Sequence, residues 1–431
     1  MASHSGPVTV AVVGAGQRSK AYTQYAVDHP ERMKVVAVAD PNPVHRRIIS
    51  EKHDIAADMQ FESYEDLARR APVAEAVINA TRDQLHHKSA LPLLAAGYHM
   101  LLEKPIAHTE AEVRGIIGAA KQHGRKVVVG HVLRFAPFYA KIKQLILDGR
   151  IGGIVSMNTL EAVSYHHMAT GYVRDRWNRR DKNSPMLLAK CCHDLDVVGW
   201  LMSGVPARRV SSFGSLKQFR AENAPAGSGT RCVVDCRIER ECAYSARRLY
   251  VEKSRWRGYV FQPLQGRGEV TDAMRLEHLR ESPYGRCVWR CDNDVVDHQS
   301  VLVEFANGAT ATHDMFCATA RPTRQIHVIG TRGEIQGDME DGVIRLRHPD
   351  LRPTTDDCTE EVISVNEAVG GDGAGHGGGD VRLIADFVKV IRGEPPSIST
   401  TRIEDSLTGH LIAFAADTAM LEGRVVEIAR E

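Results

Sequence analysis

No stretch of the 431-residue chain approaches the ~20 uninterrupted apolar residues that a membrane-spanning helix requires. The segment Met1 to Pro7 lacks the basic region and following apolar run of an export signal, so a cytoplasmic protein is expected. An excess of charge of one sign is also lacking. Lys plus Arg number 55 and Asp plus Glu 54, a formal net charge of +1, which leaves no global field to hold nucleic acid or an acidic membrane. A small molecule is the expected partner. The cysteines do not make an even, export-linked set: Cys191, Cys192, Cys232, Cys236, Cys242, Cys287, Cys291, Cys317 and Cys358 are nine in number. That argues against a disulfide framework and leaves free thiols or a metal site.

What is present is an ordinary globular composition, 43% hydrophobic and 25% charged. The length predicts two or three domains at ~150 residues each. Val8 to Val13 is a β-branched run bounded by Gly14-Ala15-Gly16 and followed by the helix-compatible Lys20 to His29. A second apolar run, Lys34 to Ala39, ends in Asp40. Strand, glycine turn, helix, strand and acidic tip make a dinucleotide fingerprint. Gly14 permits the tight turn, and Gly16 lets a pyrophosphate approach the helix N-terminus. Ser19 stands in the third small position. Asp40 can accept ribose hydroxyls and would repel a 2′-phosphate, so NAD is expected over NADP, with Arg46 and Arg47 nearby keeping NADP open.

Further alternation of strands (76–80, 99–102, 126–129) with helices (87–96, 110–123) predicts a doubly wound parallel sheet, closing near residue 130. The expected division is a dinucleotide-binding domain over 1–130 and a substrate and oligomerisation domain over 131–431. Strand-like segments at 154–164, 210–216, 301–305, 309–316 and 325–329, with a hairpin signal at Asn307-Gly308, make that second domain sheet-rich.

The strand His99 to Leu102 runs into Glu103-Lys104-Pro105. With the fingerprint, and with Gly130-His131-Val132-Leu133-Arg134-Phe135, Ile142 to Gly153 and Ile329 to Gly333, the chain resembles the Gfo/Idh/MocA family over nearly its whole length, residues 217–298 being an insertion. The resemblance implies a Rossmann domain followed by an α+β domain with an open-faced, mostly antiparallel sheet. It implies NAD, a carbohydrate-like substrate, and Lys104 at the reacting carbon. A homodimer or homotetramer is expected by the same analogy, because an open sheet needs covering.

Hydride removal from a secondary alcohol leaves a proton on oxygen, so the site needs a base. Lys104 is the candidate: a lysine partly desolvated beside a cationic nicotinamide gives up its proton more readily. The family's Asp-x-x-x-His helix pattern corresponds to Ala189 and His193, so the histidine is kept, the carboxylate is missing, and Lys190 is positioned to supply a charge instead. Cofactor-binding candidates are Gly14, Gly16, Gln17, Arg18, Asp40, Thr81, His86, Glu103 and Lys104; substrate candidates are His131, Arg134, Tyr165, His167, Trp177, Lys190 and His376. His376-Gly-Gly-x-Asp380 resembles a loop in the redox-neutral glycosidase branch of the family, with Asp380 as a helix N-cap the plain reading.

Within the insertion, Cys232-x3-Cys236-x5-Cys242 and the later Cys287-x3-Cys291 cluster soft ligands. A closed structural zinc site on Cys232, Cys236, Cys242 and Cys291 is the metal reading, free thiols the plain one. Three functions follow: a net NAD-dependent oxidoreductase on a sugar, cyclitol or glycoside; a redox-neutral NAD-dependent glycosidase; and a silent dinucleotide sensor.

Overall fold

In this computed structural model the described residues are 6–70, 72–353, 356–365 and 376–429, with the side chain of His376 outside them. The first apolar runs form β1 (Val8–Val13), β2 (Met33–Ala39), β3 (Gln60–Phe61), β4 (Ala76–Asn79), β5 (His99–Leu102) and β6 (Val127–Val129). They build a parallel sheet in the order β3-β2-β1-β4-β5-β6. Helices α1 (Gln17–Asp28), α2 (Pro43–His53), α3 (Tyr64–Arg69), α4 (His86–Ala95) and α5 (Glu110–Gln122) alternate with the strands. Such strands are buried on both faces, which is why they read as continuous apolar runs instead of alternating ones. Local chemistry places the helix starts: Thr109 and Glu112 form a reciprocal capping box at α5.

The second domain opens with α6 (Pro137–Leu147) and one long strand, β7 (Ile154–Ser164), then α7 (Met186–Leu201) and β8 (Ala207–Ser215). After the insertion, which contains α8 (Asp272–Glu281), come β9 (His298–Phe305), β10 (Thr310–Thr319), β11 (Thr323–Gly330), β12 (Glu334–Asp338), β13 (Val343–Pro349), β14 (Cys358–Ser364) and, near the end, β15 (Val426–Glu427). The nine strands share one sheet in the order β14-β13-β12-β11-β7-β10-β9-β8-β15. β7 and β10 run parallel and the other pairs antiparallel. Strands β12 to β15 were not expected. Their short, charge-rich edges carry little apolar signal, and pairing makes them strands.

One face of this sheet is packed and the other is bare of helices among the described residues. Met157, Thr159 and Glu161 alternate inward from β7 toward α7, which is buried along nearly its whole length. The outer face is satisfied by polar pairs such as Asn158 to Thr312 at 2.7 Å and Ser300 to Asp314 at 2.6 Å.

The chain then returns to the first domain. Helix α9 (Gly379–Arg392) buries Leu383, Ile384, Phe387 and Val388 against the parallel sheet, beside α1. Beyond it, Val129 N–H donates to Thr401 O at 2.8 Å and Ile403 N–H to Val127 O at 3.1 Å, so 401–403 lies antiparallel along β6. Helix α10 (Leu407–Glu422) packs on α7 and β8. Among the described residues no helix is long and apolar enough to cross a membrane.

Candidate active site

The carboxyl ends of β1, β2, β4 and β5 meet at one edge, the place where the strand order reverses between β1 and β4. Gly14 has φ +80°, and a Cβ there would lie 2.7 Å from the Ala80 carbonyl oxygen. Only glycine fits that turn. Gly16 caps α1, and a Cβ on it would meet nothing within 4 Å. The first turn of α1 has neither a side-chain cap nor an acidic residue, so its amides face open space suited to a pyrophosphate. Ser19, in the third small position, donates its hydroxyl to the Gly14 carbonyl and closes the turn.

Asp40 accepts the Ala15 N–H at 2.7 Å and the Asn42 N–H at 2.8 Å, with His45 Nδ1 3.6 Å away. Burial acts to raise its proton affinity, but these donors outweigh it and hold the carboxyl below the usual range. An ionised carboxylate therefore waits beside the ribose position. Arg46 is turned onto the Asp40 carbonyl and Glu62. Replacing Asp40 with serine should raise NADPH affinity relative to NADPH's competitor NADH about tenfold, near 1.4 kcal/mol. Fluorescence titration of both dinucleotides reads that ratio, which a general loosening of the turn would leave unchanged.

Other cofactor candidates have different roles. Gln17 donates to Gly258 O of the insertion at 2.9 Å. Thr81 bonds Asn79 Oδ1 at 2.9 Å, and its backbone nitrogen abuts Gly14. The His86 ring is buried and lies 2.7 Å from Pro105 O and 3.2 Å from Thr81 O, so it ties two loops together and does not face a cofactor. Arg18 donates to Glu103 at 2.8 Å and to Asp380 at 2.6 Å. Asp380 is thus a partner of Arg18 and not the N-cap of α9, which is Gly378. Glu103, 6% exposed, also accepts from Tyr22 and takes the Lys104 N–H at 3.0 Å. It fixes the backbone at the start of the Lys104-Pro105 turn.

Lys104 Nζ donates to the Ala189 carbonyl at 3.0 Å. Ala189 lies one helical turn before His193 on α7, so amine and imidazole converge on the same stretch of that helix. The His193 ring is 5.6 Å, edge to face, from His131. His131 is fully buried, neither ring nitrogen has a hydrogen bond, and burial followed by the charges of Arg134 and Lys104 keeps it neutral. His167 is pushed the same way, by burial and then by Lys190 and Lys104, which brings both lysines within electrostatic reach of it. Around these groups stands an aromatic wall. Trp177 stacks on Tyr172 at 5.6 Å and donates to Asp83 at 3.0 Å, and Trp256 of the insertion lies 4.5 Å from His167. Tyr165 meets Tyr244 edge to face at 6.1 Å. Trp256 had no local signal pointing to it.

Two substrate candidates are committed elsewhere. Arg134, 2% exposed, forks onto Asp196 at 2.6 and 2.7 Å and reaches Asp405 O at 3.1 Å. It locks α7 to the returning C-terminal segment and is not a substrate ligand. Lys190 Nζ is bound to Glu161 at 2.8 Å. Arg324 on β11 completes the cluster, 2.6 Å from Glu161 and 3.0 Å from Asp194. Two cations balance two carboxylates in the protein interior. Glu161 was legible only as a charged residue at an inward position of an alternating strand. Cys191, Asp194 and His313 also come within 4.8 Å of one another there. The Arg324 guanidinium already supplies the cation for Asp194, so this set does not need a metal.

In the insertion, Cys232, Cys236 and Cys242 line one small cavity together with Cys287. Cys291, the expected fourth ligand, does not line it: its thiol turns to Cys287 O at 3.2 Å, closing the one-turn helix Val288–Arg290. His376 and the glycine-rich loop before it lie outside the described side chains.

Fold and site together define a two-domain, dinucleotide-dependent oxidoreductase. Residues 8–131 match the model of the oxidoreductase family's NAD-binding Rossmann fold, and 143–428 match its C-terminal alpha/beta domain. The chain belongs to the Gfo/Idh/MocA family. It is 24% identical over 394 residues to YteT of Bacillus subtilis, covering 87% of this chain and 88% of that protein. It is 28% identical over 255 residues to inositol 2-dehydrogenase of Agrobacterium fabrum, covering 55% and 68% respectively. Its fold matches that of levoglucosan dehydrogenase solved with NADH and levoglucosan, at TM-score 0.71 and 17% identity over 98% of this chain and 100% of that one.

Proposed function

We propose that the protein oxidises a secondary hydroxyl of a sugar, cyclitol or glycoside, using NAD in preference to NADP. The observation that carries this is the meeting of Lys104 and the His193 turn of α7 beside the glycine turn. When bound, NAD supplies the hydride acceptor. Lys104 takes the hydroxyl proton at its Nζ, held against α7 by the Ala189 carbonyl. His193 bonds a neighbouring hydroxyl, while Tyr172, Trp177 and Trp256 pack on the sugar face and exclude water.

A second reading, redox-neutral glycoside cleavage in which NAD is re-formed each cycle, is favoured by one feature. The insertion touches the dinucleotide cleft at two points, the start of α1 and α2 beside Asp40: Gly258 O accepts from Gln17 at 2.9 Å, and Gln262 lies 2.7 Å from His45. Such a strap slows cofactor exchange, which a redox-neutral cycle tolerates. Incubation with free sugars, cyclitols and aryl glycosides separates the two. Net NADH formation is the expected result. Aglycone release without net NADH transfers the assignment to the second reading, and dinucleotide binding with neither removes both.

The same proposal includes a cytoplasmic homodimer or homotetramer and a structural zinc ion on the cysteines of the insertion. The bare sheet face and the free thiols support these readings. Light scattering during gel filtration checks the assembly, and a monomer would sink it.

A further inference from the structure

The cavity lined by Cys232, Cys236, Cys242 and Cys287 measures about 10 Å³, room for a single ion or water. Backbone pairing sets Cys232 and Cys287 at diagonal positions on the same side of a two-strand bridge. Cys232 N–H donates to Gly285 O at 2.9 Å, Cys287 N–H donates to Thr230 O at 2.8 Å, and Arg231 bridges to Arg286 between them. Segments 55 residues apart in the chain are thereby held together at the cavity wall, with Cys236 and Cys242 contributed by the turns that follow Cys232.

A second, independent feature concerns Arg174, which also lines the cavity and is wholly buried. Its guanidinium donates to Arg286 O at 2.8 Å, Tyr250 Oη at 2.9 Å, Tyr244 O at 2.6 Å and Cys232 Sγ at 3.4 Å. All four acceptors are neutral while Cys232 is a thiol, and no carboxylate among the described residues pairs with this arginine. Glu239, which shares the cavity, is taken up by Ser245 and Arg247. A cation fully withdrawn from water demands a negative partner. Deprotonated sulfur at the cavity is the available source.

We propose that Cys232, Cys236, Cys242 and Cys287 bind one structural zinc ion, with Arg174 as the buried counter-ion of the resulting centre. Zn²⁺ displaces four thiol protons to solvent as four Zn–S bonds form, giving a centre of net charge −2 that Arg174 partly offsets. Every coordination position is filled by sulfur, so the ion does no chemistry on a substrate. Among the described residues the Cys191, Asp194 and His313 set is the one whose ligand atoms already lie within 4.8 Å. Zinc binding at the four sulfurs of the insertion therefore requires them to draw inward to the ~2.3 Å Zn–S distance. The gain is structural. Apart from α8, the insertion is built of short helical turns and loops, and a metal crosslink adds to their buried apolar contacts a tie between segments far apart in the chain. This site deepens the zinc reading above and is independent of the reaction assigned to Lys104.

The full-length protein, purified without chelator, should carry about one zinc per chain by elemental analysis. Cys287→Ser should lose it and Cys291→Ser should keep it. Where Cys287→Ser fails to fold, titration of the wild type with a mercurial should expose four thiols per zinc released, and cobalt substitution should give the thiolate charge-transfer bands of a four-sulfur site. Zinc retained in Cys287→Ser, or lost in Cys291→Ser, would overturn this ligand set while leaving a metal in the insertion. A wild-type protein free of metal that takes up none from added zinc, or disulfides among these cysteines, would overturn the zinc reading altogether. Neither result depends on catalytic activity.

Discussion

Turnover in a Lys104→Ala variant is expected to fall by about 10²–10⁴-fold, the range that a positioned proton acceptor contributes. The amine donates to the Ala189 carbonyl, so its removal also frees a backbone acceptor on α7. Lys104→Arg separates these effects. Arginine keeps the positive charge and a donor for Ala189 but cannot take up the substrate proton, since it stays protonated. It should match alanine in lost kcat while binding NADH as the wild type does. Steady-state kinetics together with dinucleotide titration read both quantities. If Lys104→Arg retains most of the wild-type kcat, the lysine is only a tether to α7 and another base must be sought.

The largest loss of stability is expected at Arg324. Its guanidinium joins Glu161, 2% exposed, to Asp194, 4% exposed. Arg324→Met keeps the apolar stem and removes the charge, leaving two interior carboxylates with Lys190 paired to Glu161. Breaking a buried pair in this way costs about 3–5 kcal/mol. The pH dependence has a definite sign. Asp194 already holds its proton more tightly than usual, chiefly because of burial, with Arg324 opposing that effect. Without the arginine the folded state binds the proton more tightly still, so folded Asp194 carries more protons than unfolded Asp194. Stability of the variant should then be greatest below the ordinary carboxylate range and fall as pH rises through the raised folded value. Urea melts across pH test this, and Asp194→Asn in the Arg324→Met background should recover part of the loss. A deficit under ~1 kcal/mol that is flat with pH would mean that water reaches the cluster.

Much of the dinucleotide end was legible because its signals are local. A glycine with φ +80°, an open glycine at a helix cap and a carboxylate on the next strand tip lie within a single strand-helix-strand unit. Lys104 and His193 were legible through family motifs, and the structure brings them to the same turn of α7. The weaker readings failed where a side chain's role depends on a distant partner. Arg134 could have faced the substrate until Asp196 took both arms of its guanidinium. His86 could have met a cofactor until Pro105 and Thr81 closed on its ring. Lys190 supplies its charge to Glu161 of β7, a residue with no motif of its own.

By itself the order of residues determined the doubly wound domain, the glycine turn and the carboxylate at the tip of β2, because turn geometry and strand burial act over a few neighbouring residues. Only the tertiary structure decided that 401–403 would line β6, that Cys287 and not Cys291 would face Cys232, and that Arg324 would join Glu161 to Asp194. Interior charges and paired backbones must find partners wherever folding brings them, and chain separation carries no record of that choice.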